Sequence, residues 1–111
     1  MKRTYEENIF TKIINKKIPS SIIFENNYLI AFEDINPEAK HHILIIPKGL
    51  YIDYKDFYEN ASKEEHKEFY HGIYEIIKKK NLTNFKLITN NGKDVGQIIF
   101  HFHVHILSND N

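Results

Sequence analysis

With 111 residues, the chain has room for one compact domain with a buried core and too little for two independent ones. Its 15 basic and 15 acidic residues cancel, so no global field draws it to nucleic acid or an anionic membrane, and neither partner is expected. There is no cysteine, which removes disulfide scaffolding, thiol catalysis and cysteine-ligated zinc together and leaves chemistry to histidine and carboxylates.

No apolar run approaches the length of a membrane span. The start, Met1-Lys2-Arg3-Thr4-Tyr5-Glu6-Glu7, turns acidic where a secretory leader would be apolar, so a soluble, cytoplasmic protein is expected. Repeats, low-complexity tracts and linkers are absent, and residues 1–111 are expected to form a single α+β domain.

Ile9, Phe10, Ile13 and Ile14 recur at helical spacing ahead of Pro19, which predicts a helix over roughly residues 5–16. Residues 21–25 and 28–33 are rich in β-formers and flank Asn26-Asn27, the pattern of a hairpin. After the break at Asp34-Ile35-Asn36-Pro37, residues 42–46 form an apolar run that predicts a central strand stopped by Pro47. Residues 51–61 show no clean period and are expected to be loop or a short irregular helix. Ser62-Lys63-Glu64-Glu65 fits a capping box and opens the longest helix, with Phe69, Tyr70, Ile73, Ile76 and Ile77 as one apolar stripe. Residues 85–89 alternate as a fourth strand, and residues 90–97 are a polar, Gly-containing loop able to aim backbone amides at an anion.

The last apolar run, residues 100–107, alternates with period two. His101, His103 and His105 therefore share one face and look outward, while Phe102, Val104 and Ile106 dock on a core. One use of such a face is metal binding, yet at about 3.3 Å rise per residue the outer pair stands roughly 13 Å apart, so one ion would take two of the three. The other candidate ligands, His42, Asp34 and Asp94, have no diagnostic spacing, and no metal is expected. A second use is phosphoryl chemistry, in which one imidazole attacks phosphorus and a neighbour steadies the charge. The third reading is a structural histidine strand, which gives no reason for the repetition.

His101-Phe102-His103-Val104-His105-Ile106-Leu107 matches the pattern His-apolar-His-apolar-His-apolar-apolar at every position, and in this the chain resembles the histidine-triad nucleotide-binding family, close to its Hint branch. Similar segments extend over residues 9–14, 18–19, 22–25, 31–35, 42–48 and 90–97, and residues 49–84 have no distinctive match. The resemblance implies a HIT-like α+β fold of about five antiparallel strands with two helices, joined into a continuous sheet in a homodimer. It implies a metal-independent hydrolase, without cofactor, of purine nucleoside phosphoramidates or related AMP conjugates, working through a nucleotidyl-histidine intermediate. By that similarity His103 is the nucleophile, His105 meets the phosphate or leaving group, and His101 with His42 supports the nucleophile. Asn90, Gly96 and Gln97 match the phosphate-side loop, Asp34 the ribose carboxylate, and Ile9, Phe10, Ile13, Ile18 and Phe32 an apolar purine cleft. Without the resemblance, the apolar set reads as ordinary core, Asp34 as a turn residue, and Asn90 and Gly96 as loop punctuation.

Two features depart from the pattern. Ile98 stands where many relatives have a serine or threonine for the substrate phosphate, and the chain stops at Asn111, short of the longer tail of some relatives. These keep one alternative open, a nucleotide-binding or interaction module with little turnover; a second, a dinucleoside polyphosphate hydrolase, is what the resemblance to a neighbouring branch of the family implies.

Overall fold

The computed structural model describes residues 3–111. Met1 and Lys2, part of the start considered above for a leader, lie outside the described residues. Helix α1 is Ile9–Ile14, capped by Asn8, whose side chain accepts from the Phe10 and Thr11 amides while Thr11 answers the Asn8 amide. It is shorter than the predicted span because residues 5–8 are not helical, and Lys16 turns left-handed just past its end.

Strands β1 (Ile22–Glu25) and β2 (Leu29–Glu33) form the expected hairpin, with Asn26 Oδ1 accepting from the Tyr28 and Leu29 amides to close the turn. β3 (His41–Pro47) then takes the centre of a five-stranded antiparallel sheet in the order β1-β2-β3-β5-β4, where β4 is Lys86–Ile88 and β5 is Val104–Ser108. Its two-sided burial follows from alternation. Ile43 and Ile45 face one core with Leu29, Val104 and Ile106, while Leu44 and Ile46 face another with Ile30, Phe32 and Phe10. β3 runs through Pro47 rather than stopping before it, because the pairing with β5 has already ended at Ile45↔Val104 and no ladder bond is asked of the proline nitrogen on that side.

The first core lies under α3 (Lys63–Lys79), opened by the Ser62–Glu65 capping box. Phe69, Ile73 and Ile76 are buried and Ile77 half-buried, whereas Tyr70 is 63% exposed; one residue on from Phe69, it is turned about 100° away from the buried stripe. Residues 51–61 contain a third helix, α2 (Tyr54–Asn60), one more than the two expected. Its start is capped by Asp53, whose carboxylate also takes both Arg3 guanidinium branches, and Phe57 anchors it in the core. His66 closes the α2–α3 joint on the Phe57 carbonyl, and His41 sits against the Asp110 carbonyl, so both hold structure.

β4 and β5 are shorter than predicted. Residues 101–103 precede the ladder, since beyond Ile45 the chain of β3 offers β5 no partner. The period-two faces nevertheless persist across this boundary: Phe102, Val104 and Ile106 enter the α3 core, and His103 and His105 turn to the α1 side. Among the described residues, no helix is long and apolar enough to cross a membrane.

Candidate active site

On the α1 side of the sheet lies a cleft of about 910 Å³. α1 supplies Ile9, Phe10 and Ile13 to it, the segment after α1 supplies Ile18, and β2 supplies Phe32, so one end is apolar and aromatic. Phe10 meets Phe32 edge-on at 5.7 Å and the His103 ring edge-on at 5.0 Å, which places the apolar wall against the histidine face. Asp34, His42, His103, His105, Asn90 and Gly96 line the same cleft. Asp34 follows β2 and holds the Asn36 amide with one oxygen, leaving the other 3.4 Å from His42 Nε2.

The protonation pattern of the imidazoles follows from their backbone partners. His103 Nδ1 is 2.7 Å from the His101 carbonyl, which only accepts, so Nδ1 carries the hydrogen and Nε2 the lone pair. His42 Nδ1 receives the Glu38 amide at 3.0 Å, so its hydrogen sits on Nε2 and is donated to His105 Nδ1 at 2.9 Å. His105 then carries its own hydrogen on Nε2. Among the described residues, no hydrogen bond engages Nε2 of His103 or of His105, whose rings lie 5.1 Å apart. The site thus offers a bare nitrogen beside an N–H donor.

His101 is arranged differently. Its ring is fully buried rather than outward-facing, with Nε2–H donated to the Pro47 carbonyl at 2.7 Å and Nδ1 accepting the Tyr5 hydroxyl. Burial holds His101 and His105 down to about 4 and lowers His103 from 6.5; at His103 the His101 carbonyl and the Asp34 carboxylate oppose that shift. In all three the shift favours the neutral imidazole.

Asp34, His42 and His105 bring ligand-type atoms within 4.8 Å of one another, the one such trio among the described residues. The donor set does not suit a cation. A ligating imidazole must present a lone pair, and the Glu38 amide on Nδ1 commits His42 Nε2 to its hydrogen. His42 Nε2–H is donated to His105 Nδ1 at 2.9 Å, and the free Asp34 oxygen stands beside the same Nε2 at 3.4 Å, so the trio is a hydrogen-bonded imidazole pair with a carboxylate alongside.

A family model described as HIT domain matches residues 15–111 of this chain. The chain belongs to the HIT family. An uncharacterized HIT-like protein of Rickettsia prowazekii is 48% identical over 104 residues, spanning 92% of this chain and 87% of its own. A solved structure described as a HIT family hydrolase from Clostridium thermocellum is 33% identical, covers 97% of this chain and 95% of its own, and superposes with a TM-score of 0.86. Another, described as a hypothetical histidine triad nucleotide-binding protein from Sulfolobus tokodaii, is 29% identical with a TM-score of 0.77, over 90% of this chain and 67% of its own.

In this HIT protein two expected site residues stand outside the cleft. Gln97 is buried, its amide donating to the Ile52 and Ile99 carbonyls and its oxygen accepting the Gly92 amide, so it braces the 90–97 loop from behind. His101 supports His103 through its backbone carbonyl and not its ring, while His42 touches His105 rather than His103. The loop itself contains a single 3-10 turn, Lys93–Val95, closed by Gly96 at a φ of +97°, which glycine adopts without strain. Sequence reasoning missed Leu44, Ile88 and Leu107 in the cleft wall, although each lies on a predicted strand and alternation could have found it. It also missed Tyr5, for which no local signal exists.

Proposed function

We propose that this HIT protein is a metal-independent hydrolase of purine nucleoside phosphoramidates or related AMP conjugates, acting through a nucleotidyl-histidine intermediate in the manner of the Hint branch it resembles. The observation that carries this reading is the His103–His101 hydrogen bond, which leaves His103 Nε2 a free, neutral nucleophile in the cleft. The purine lies between Ile9, Phe10, Ile13, Ile18 and Phe32, held by apolar contact and thus with modest discrimination between purines. Asp34 accepts from the ribose hydroxyls. Asn90 and Gly96, on the loop beside the triad, face the phosphate.

His103 Nε2 forms a bond to phosphorus as the phosphorus–amine bond breaks, and the amine leaves with a proton from solvent. The imidazole, now phosphorylated at Nε2, carries positive charge, and its Nδ1–H stays on the His101 carbonyl. His105 Nε2–H donates to a phosphate oxygen, backed by the His42 donation to its Nδ1. Water then attacks phosphorus, the nitrogen–phosphorus bond breaks, and the proton taken up in the first step is returned. His103→Ala should abolish turnover of an AMP–amine conjugate with the fold retained. Wild-type hydrolysis by that variant would end the nucleophile assignment.

Ile98, 86% exposed on the cleft, brings no hydroxyl and is the one feature that favours a binding module instead. Binding of AMP with no turnover of an AMP–amine conjugate or a diadenosine polyphosphate would select that reading. The edge strand β4, with Leu87 48% exposed, supports a homodimer in which two sheets join edge to edge.

A further inference from the structure

Residues 101–103 precede β5, and the last β3–β5 pair is Ile45↔Val104, so no neighbouring strand holds the His101 carbonyl on which His103 depends. The backbone there is tied by the Phe102 amide on the Tyr51 carbonyl and by the Thr89 hydroxyl on the His103 carbonyl, while at His101 itself it is the ring that is held. That ring is anchored at both nitrogens, by Pro47 on Nε2 and by the Tyr5 hydroxyl at 2.5 Å on Nδ1. Because Nε2 carries the ring hydrogen, Nδ1 accepts, and Tyr5 must spend its one proton there. The Tyr5 oxygen therefore takes hydrogens from Thr11 Oγ1 at 2.8 Å and Asn8 Nδ2 at 3.1 Å, the two residues of the α1 capping box.

We infer that Tyr5 is a positioning residue for the nucleophile: its hydroxyl locks the His101 ring and so keeps the His101 carbonyl aimed at His103 Nδ1. The inference rests on the hydrolase reading above for its effect on rate, though not for its effect on His103 itself. His101 is fully buried, so no solvent replaces a lost hydroxyl at Nδ1, and the ring's neutral state keeps it an acceptor through the physiological range. Freed on one side, the ring carries its carbonyl with it. His103 then loses its fixed Nδ1–H tautomer, and the nitrogen presented to phosphorus is bare only part of the time. The same hydroxyl ties the nucleophile to α1, whose Phe10 already leans on the His103 ring. Entry of a base beside Phe10 and alignment of His103 are thereby parts of one assembly.

The test is Tyr5→Phe, which removes the hydroxyl and keeps the ring. For an AMP–amine conjugate, kcat should fall about tenfold to a hundredfold with KM unchanged, the scale of a sub-ångström misplacement of a reacting group. In nitrogen-15 histidine NMR, His103 should pass from a single Nδ1–H tautomer to a mixture. Ser62→Ala, which weakens the α3 cap away from the triad, should lower Tm and leave both kcat and the tautomer as in the wild type. Thr11→Val, which removes one donor to Tyr5, should shift the tautomer in the same direction by less, and serves if Tyr5→Phe does not fold. A single Nδ1–H tautomer at His103 in Tyr5→Phe, or in Thr11→Val where Tyr5→Phe does not fold, overturns the inference, whatever kcat does. If the wild type turns nothing over, the hydrolase reading fails, while the tautomer comparison still decides the role of Tyr5.

Discussion

A carbonyl oxygen decides what His103 is. Imidazole has two chemically alike nitrogens, and the His101 carbonyl makes one a donor and leaves the other with a bare lone pair, the nucleophile proposed above. Burial of these rings disfavours their charged forms. His101 and His105 are lowered by burial to about 4 and His103 below 6.5, so in acid the unfolded chain takes up protons that the folded one refuses. Stability is therefore present in full above 6.5 and is lost as pH falls toward about 4. Thermal melts across that window should show Tm falling with acidity, and a flat Tm would show that these rings are not held neutral. The alternation of the triad was legible because period two is local. The burial of His101 was not, since it depends on where β3 loses its partner and on Tyr5, both remote in sequence.

At the scale of elements, what could be read depended on whether an element carries its own signal. α3 announces itself through its capping box and the spacing of Phe69, Ile73 and Ile76. α2 does not: it buries Phe57 alone and owes its start to Asp53, held by Arg3 from 50 residues upstream. The close approach of α3 to β2 is likewise a tertiary fact. A Cβ at Gly72 would stand 2.5 Å from Leu29 Cδ2, and Leu29 is fully buried. Alanine there gains about 1 kcal/mol of helix propensity against about 1–3 kcal/mol of overpacking. Gly72→Ala should accordingly lower stability in denaturant titration. A gain of the full propensity term would mean that the α3–β2 contact is looser than described.

For the whole molecule, the sheet divides two tasks. Its α3 face holds the larger core, and its α1 face holds a smaller one that opens into the cleft. The proposed dimer joins at β4, one of the two edges of the sheet, and Leu87→Lys on that edge should turn a dimer into a monomer in sedimentation equilibrium. A wild-type chain that sediments as a monomer would remove the dimer proposal outright. Through all of this the central claim is covalent chemistry at one nitrogen. It is tested most directly by exposing the protein to an AMP–amine conjugate, quenching in milliseconds under conditions that preserve the nitrogen–phosphorus bond, and locating any nucleotidyl adduct by peptide mass spectrometry. The account predicts an adduct on the peptide containing His103, lost in His103→Ala; an adduct on another residue, or turnover without any adduct that survives in His103→Ala, would contradict it.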